Sequence, residues 1–116
     1  MWDCTGLLPF GVSMTYESES SVAKYLLKRT EALGGVARKV SYESRKGAPD
    51  WFLFFPEGIL IMVETKSTTG RLSALQIAEA QTLGDLGHVV RKVSSRATVD
   101  AMMQEFFPEG AVSVYG

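Results

Sequence analysis

Pro49-Asp50-Trp51-Phe52-Leu53-Phe54-Phe55-Pro56-Glu57-Gly58-Ile59-Leu60-Ile61-Met62-Val63-Glu64-Thr65-Lys66 is the stretch whose reading decides the fold. Its apolar runs, 51–55 and 59–63, are too short for helices and rich in aromatic and β-branched residues, which favours strands. Pro56-Glu57-Gly58 between them reads as a hairpin loop. With three residues in that loop, Phe55 opposes Ile59 and opposed residue numbers sum to 114. Asp50 then lies opposite Glu64, and opposed residues share a face with Cβ atoms ~5 Å apart. Lys66, two positions beyond Glu64, falls on that face as well. The rest of the hairpin is apolar on both sides: Trp51, Leu53, Phe55, Ile59, Ile61 and Val63 on one, Phe52, Phe54, Leu60 and Met62 on the other. Such a hairpin is expected to be central and covered on both faces.

Two carboxylates opposed at the end of an apolar sheet repel one another and need a compensator. A hard divalent cation, Mg²⁺ or Mn²⁺, is the natural one, because it takes carboxylate oxygens and keeps positions open for water. The chemistry that suits such a site is metal-assisted hydrolysis of a phosphodiester, with a lysine at hand to orient water or stabilise developing charge. The competing reading is a surface salt bridge between Lys66 and either acid, worth ~0–1 kcal/mol.

Outward from the hairpin, the periodicity changes. Ser18 can cap a helix that begins at Glu19, and Val22, Tyr25, Leu26, Arg29 and Leu33 keep a helical rhythm until Gly34-Gly35. Residues 36–42 alternate as a strand. After the loop Ser67–Arg71, Ser73 and Gln76 form a capping-box pattern opening a second helix, closed near Gly84 or Gly87. His88–Val93 reads as a strand, and His88 as its start rather than a catalytic base. A third helix follows, with Val99, Met102, Met103, Phe106 and Phe107 on one side and Pro108 at its end; that stripe reads as core or dimer interface. The order α-β-β-β-α-β plus a C-terminal helix predicts an α/β fold, a mixed central sheet flanked by helices. The expectation is one domain over 1–116, with 1–18 as an N-terminal arm and 108–116 as a C-terminal tail.

Composition narrows the function classes. The chain has 116 residues, 46% hydrophobic and 22% charged, which is ordinary for a water-soluble domain. No apolar run reaches the ~20 residues of a membrane span. Cys4 is the sole cysteine, so no internal disulfide is possible and a reducing, cytoplasmic setting is expected. A net charge of −1 argues against a protein that coats nucleic acid by bulk attraction. Basic residues cluster locally at Arg38, Lys39, Arg45 and Lys46, and again at Arg91, Lys92 and Arg96, as suits phosphate contact over a small area.

Pro49-Asp50 followed by Glu64-Thr65-Lys66 resembles the Pro-Asp…(Asp/Glu)-x-Lys nuclease superfamily, and most closely its virus-type replication-repair nuclease (VRR-NUC) branch. The resemblance runs from about Glu19 to Val93. It takes in Val22 and Leu26, Gly47-Ala48-Pro49-Asp50, Val63-Glu64-Thr65-Lys66, Gly70-Arg71-Leu72-Ser73 with Gln76, and Val89-Val90 with the basic strand residues after them. Ala48 stands where the branch carries Arg, a departure that leaves both acids intact and weakens a phosphate contact.

The resemblance implies a restriction-endonuclease-like core. It implies Asp50 and Glu64 as metal ligands with the Thr65 carbonyl, Lys66 acting on the attacking water, and Glu19 helping to hold the metal or its waters. Glu17 competes with Glu19, but Glu19 keeps the better spacing to Val22 and Leu26; the competing reading of Glu19 is a first-turn acid favoured by the helix dipole. Gln76 matches the family glutamine near the site, or serves only the capping box. Arg38, Arg45, Lys46 and Arg71 are candidates for phosphate contact. The expected activity is cutting of branched, flapped or four-way-junction (Holliday junction) DNA by a homodimer, with residues 1–15 and 111–116 available for the dimer contact. A phage origin and a bacterial or phage-infected host cytoplasm fit the small format. The alternative is a non-catalytic nucleic-acid-binding domain that keeps the fold.

Overall fold

The computed structural model describes residues 15–109. Cys4, most of the 1–15 arm and the 111–116 tail lie outside the described residues. Three helices and four strands follow in the order α1 (Glu19–Ala32), β1 (Val36–Lys39), β2 (Trp51–Phe55), β3 (Ile59–Thr65), α2 (Ala74–Asp85), β4 (Val89–Val93) and α3 (Arg96–Phe106). The strands form one sheet in the order β1-β2-β3-β4. β1–β2 and β2–β3 are antiparallel and β3–β4 parallel, so the sheet is mixed, with the hairpin at its centre.

The hairpin register is the one the sequence predicts. Phe55 pairs with Ile59 and Trp51 with Val63. The three-residue turn is Pro56–Gly58, in which Glu57 (φ 68°) and Gly58 (φ 78°) both adopt left-handed backbone. Gly58 takes that conformation freely, whereas Glu57 bears a Cβ that disfavours it.

Helix boundaries follow their caps. The Ser18 hydroxyl accepts from the amide of Ser21, and Ser73 with Gln76 makes a reciprocal capping box. A second box, unanticipated, opens α3, where the Ser95 hydroxyl accepts from the Thr98 amide and Thr98 returns to the Ser95 amide.

The core lies on one side of the sheet. Leu53, Phe55, Ile61, Val63 and Val93 meet Val22, Leu26 and Leu33 at α1 and Val99, Met102 and Met103 of α3. Burying each large side chain contributes ~1.5–3 kcal/mol. Phe107 packs its ring 4.7 Å from that of Phe55, so the stripe on α3 is core.

The opposite face departs from the expectation of full coverage. Met62 and Glu64 are buried there, but Phe52, Leu60 and Val90 are half-buried and Phe54 is 43% exposed. The crossover from β3 to β4 sends α2 to this side, and α2 covers it only in part. β1 also ends earlier than 42. The Val40 amide still donates to the Asp50 carbonyl, but Tyr42 turns away to hydrogen-bond with Glu79 of α2.

Candidate metal and nuclease site

The partly open face carries the polar end of the hairpin. One step beyond the Trp51–Val63 pair, the register sets Asp50 opposite Glu64. The Thr65 amide donates to Asp50 Oδ2 at 2.8 Å and the Thr65 hydroxyl at 3.2 Å, binding the Asp50 side chain to β3. Gln76 performs two tasks: its Oε1 accepts from the Ser73 amide, and its Nε2 donates to Glu64 Oε1 at 3.1 Å. One side chain thus closes the capping box and also contacts Glu64.

Glu64 is the central group. Its residue is 1% exposed, and its Oε2 is buried with no hydrogen-bond partner. A buried carboxylate oxygen without a donor is costly unless something positive meets it. The carboxyl is pushed up to about 7, first by burial and then by the negative charge of Asp50. The Lys66 ammonium and the Asp50 backbone amide pull the other way.

Hard oxygen donors, an orphaned buried carboxylate oxygen and two adjacent acids together fit a divalent cation. Asp50 and Glu64 would hold it, with the Thr65 carbonyl as a further donor. Among the described residues no group of three or more His, Cys, Asp or Glu side chains that could hold a metal ion converges.

The remaining predicted residues are distributed unevenly. Lys66 is half-buried beside the acids, and its amide donates to the Val93 carbonyl, continuing the β3–β4 ladder. Glu19 is exposed in the first turn of α1. Glu17 is occupied elsewhere: its carboxylate accepts from the Arg96 amide at the start of α3 and pairs with the Arg96 side chain at 3.5 Å. Arg38, Arg45, Lys46 and Arg71 are exposed, and Arg45 lies 3.5 Å from Glu79. His88 is exposed just before β4, its amide donating to the Leu83 carbonyl.

Two neighbours, Tyr42 and Glu79, escaped the sequence reading, as did the place of Lys92, read there only as part of a basic cluster. Lys92 pairs in register with Glu64, and its Nζ donates to the Gly70 carbonyl at 3.2 Å. Only the parallel β3–β4 register brings it there, and periodicity within one strand carries no such signal. Tyr42 and Glu79 meet across a sequence separation of 37 residues.

The model of the VRR-NUC domain matches residues 5–97. The chain belongs to the VRR-NUC family. A solved structure described as "VRR_NUC domain" superposes with a TM-score of 0.73 at 34% identity, covering 78% of this chain and all of that one. A protein named "Putative nuclease p44", from Acyrthosiphon pisum secondary endosymbiont phage 1, is 33% identical over 78 residues, 67% of this chain and 84% of its own length. Nuclease function is what VRR-NUC membership supports. Among the described residues, no helix of this VRR-NUC chain is long and apolar enough to cross a membrane.

Proposed function

We propose that the chain is a Mg²⁺- or Mn²⁺-dependent DNA endonuclease acting on branched DNA (flaps or four-way junctions) as a homodimer. The observation that carries this reading is the buried, unpartnered Glu64 Oε2 beside Asp50 and Lys66, at the family's motif positions. A bound divalent cation would neutralise charge on the phosphoryl group and make a water nucleophilic near neutral pH.

Each residue has a defined task around that chemistry. Asp50 and Glu64 hold the cation with the Thr65 carbonyl. Gln76 fixes the rotamer of Glu64 through Oε1, leaving Oε2 for the metal. Lys66 orients the attacking water and stabilises charge that develops on the phosphate. Glu19 orients water from the first turn of α1. Arg38, Arg45, Lys46 and Arg71 hold the flanking phosphates as exposed cations.

Residues 1–116 act as one nuclease domain, with 1–18 as an arm and 108–116 as a tail. Val36 and Phe54, cross-strand partners that are both exposed, add an apolar patch suited to a dimer contact. Two copies would then present two sites to opposite strands of a junction.

The test is a cleavage panel of duplex, single-stranded, flapped and four-way-junction DNA with Mg²⁺ or Mn²⁺, run beside sedimentation of the free protein. Branched DNA should be cut, Asp50→Ala, Glu64→Ala and Lys66→Ala should abolish cutting, and Lys66→Ala should retain binding. Metal-independent cutting would refute the cation's role. Binding without cutting by the wild type would favour the non-catalytic reading.

A further inference from the structure

We propose that Glu79 is a positioning residue which, with Tyr42, clasps the 40–49 segment to α2 and so sets Asp50 in its place opposite Glu64. The inference rests on the metal-dependent reading of the site. Glu79 is the buried residue of α2, while Leu75, Ile77 and Leu86 on or next to that helix are exposed. A helix that buries a carboxylate while Leu75 and Ile77 stay exposed is not placed by apolar burial alone. Burying an acid is tolerated when both oxygens are engaged, as these are. Oε2 accepts from the Tyr42 hydroxyl at 2.6 Å, and Oε1 lies 3.5 Å from Arg45.

The segment held in this way lies against the helix. Gly47 has φ +100°, and a Cβ there would sit 2.7 Å from the Leu75 carbonyl oxygen and 3.5 Å from Glu79 Cβ. The close approach and the backbone conformation both demand glycine. Pro49 follows, fully buried and fixed in φ, and then Asp50. Tyr42, its hydroxyl pushed up to about 12 by burial and then by Glu79, stays a hydrogen-bond donor across the working pH range.

Gln76 stands three residues before Glu79, on the same side of α2, and bonds Glu64. The helix therefore fixes both acids, Glu64 through Gln76 directly and Asp50 through Glu79, Tyr42 and the Gly47 approach. Outer partners of metal ligands act in this way, and their loss typically costs 10–100-fold in metal affinity.

The experiment is calorimetric titration of the full chain with Mn²⁺, alongside thermal melts in chelator, for wild type, Tyr42→Phe, Glu79→Gln and Glu79→Ala. Tyr42→Phe deletes one oxygen and keeps the ring, so the fold survives it. Tyr42→Phe and Glu79→Ala should each weaken Mn²⁺ binding about 10-fold or more, whereas Glu79→Gln, whose amide oxygen still accepts from Tyr42, should stay within about 3-fold. Wild-type Mn²⁺ affinity in Tyr42→Phe, whether or not its Tm falls, would overturn the clasp alone. No Mn²⁺ binding by the wild type would remove the metal reading of the site, and the clasp with it.

Discussion

Leu53 and Phe54 are neighbours in β2, yet Leu53 is fully buried and Phe54 is 43% exposed. The difference lies in which face each side chain joins. Leu53 points at α1 and α3, two helices that meet each other and seal the apolar layer. Phe54 points to the α2 side, where a single helix turns Glu79 inward and leaves the sheet half-open. Stability is concentrated on the first face, and the proposed chemistry belongs to the second. A face that is to admit a phosphate chain, as proposed for the one bearing Asp50, Glu64 and Lys66, cannot be roofed as a core is.

The largest expected effect tests that division directly. Leu53→Ala should cost ~2–5 kcal/mol of unfolding free energy through lost burial and a residual cavity, while Phe54→Ala should cost under about half as much. Urea denaturation of both variants measures the contrast. Equal losses would mean that the α2 face is as well packed as the other, contrary to its exposure.

The second test concerns the charge buried on the open face. Glu64 has its carboxyl raised from 4.5 to about 7, so the folded state binds this proton more tightly than the unfolded chain does. The associated stability is fully present below pH 4.5 and is lost as pH rises through about 7. Over that interval the metal-free protein should lose stability of order 2–3 kcal/mol. Glu64→Gln, a mimic of the protonated acid, should flatten this dependence and exceed the wild type in stability at pH 8 in chelator. An unchanged pH profile in Glu64→Gln would assign the loss to other groups. Divalent cation added to the wild type at pH 8 should restore what deprotonation removes, because a ligand that binds the native state stabilises it.

Much of this contrast was legible in the sequence, for local reasons. The hairpin register followed from three residues, Pro56-Glu57-Gly58, because loop length fixes pairing and pairing fixes which side chains share a face. Gln76 was found through Ser73, since a capping box is a four-residue pattern. The coverage of the hairpin was misjudged because Phe52, Phe54, Leu60 and Met62 are all apolar, and apolarity does not reveal how many helices a face receives. The Tyr42–Glu79 contact was invisible for a related reason. A glutamate in a helix ordinarily reads as a solvated position, and only the tertiary path of the 40–49 segment makes it an interior one. Gly47 held a trace of that path, as a glycine ahead of Pro49-Asp50 where close backbone approach was possible.

The smallest expected effect compares one hydrogen-bonded carboxylate from each side. On the sealed face, Asp100 of α3 accepts from the Tyr25 hydroxyl at 2.7 Å and pairs with Arg29, tying α3 to α1 at an exposed rim. On the open face, Gln76 ties α2 to the buried Glu64. Asp100→Ala removes an ion pair between solvent-exposed side chains, where water and salt screen the charges, so its cost should be ~0–1 kcal/mol. Gln76→Ala should cost a similar ~1 kcal/mol through the lost cap and hydrogen bond. The two should separate in a different measurement. Gln76→Ala frees Glu64 Oε1 and its rotamer, and should therefore weaken Mn²⁺ binding, whereas Asp100→Ala should leave the Mn²⁺ isotherm unchanged. If Asp100→Ala also weakens the metal, the two faces are coupled through the sheet and the division of labour between them fails.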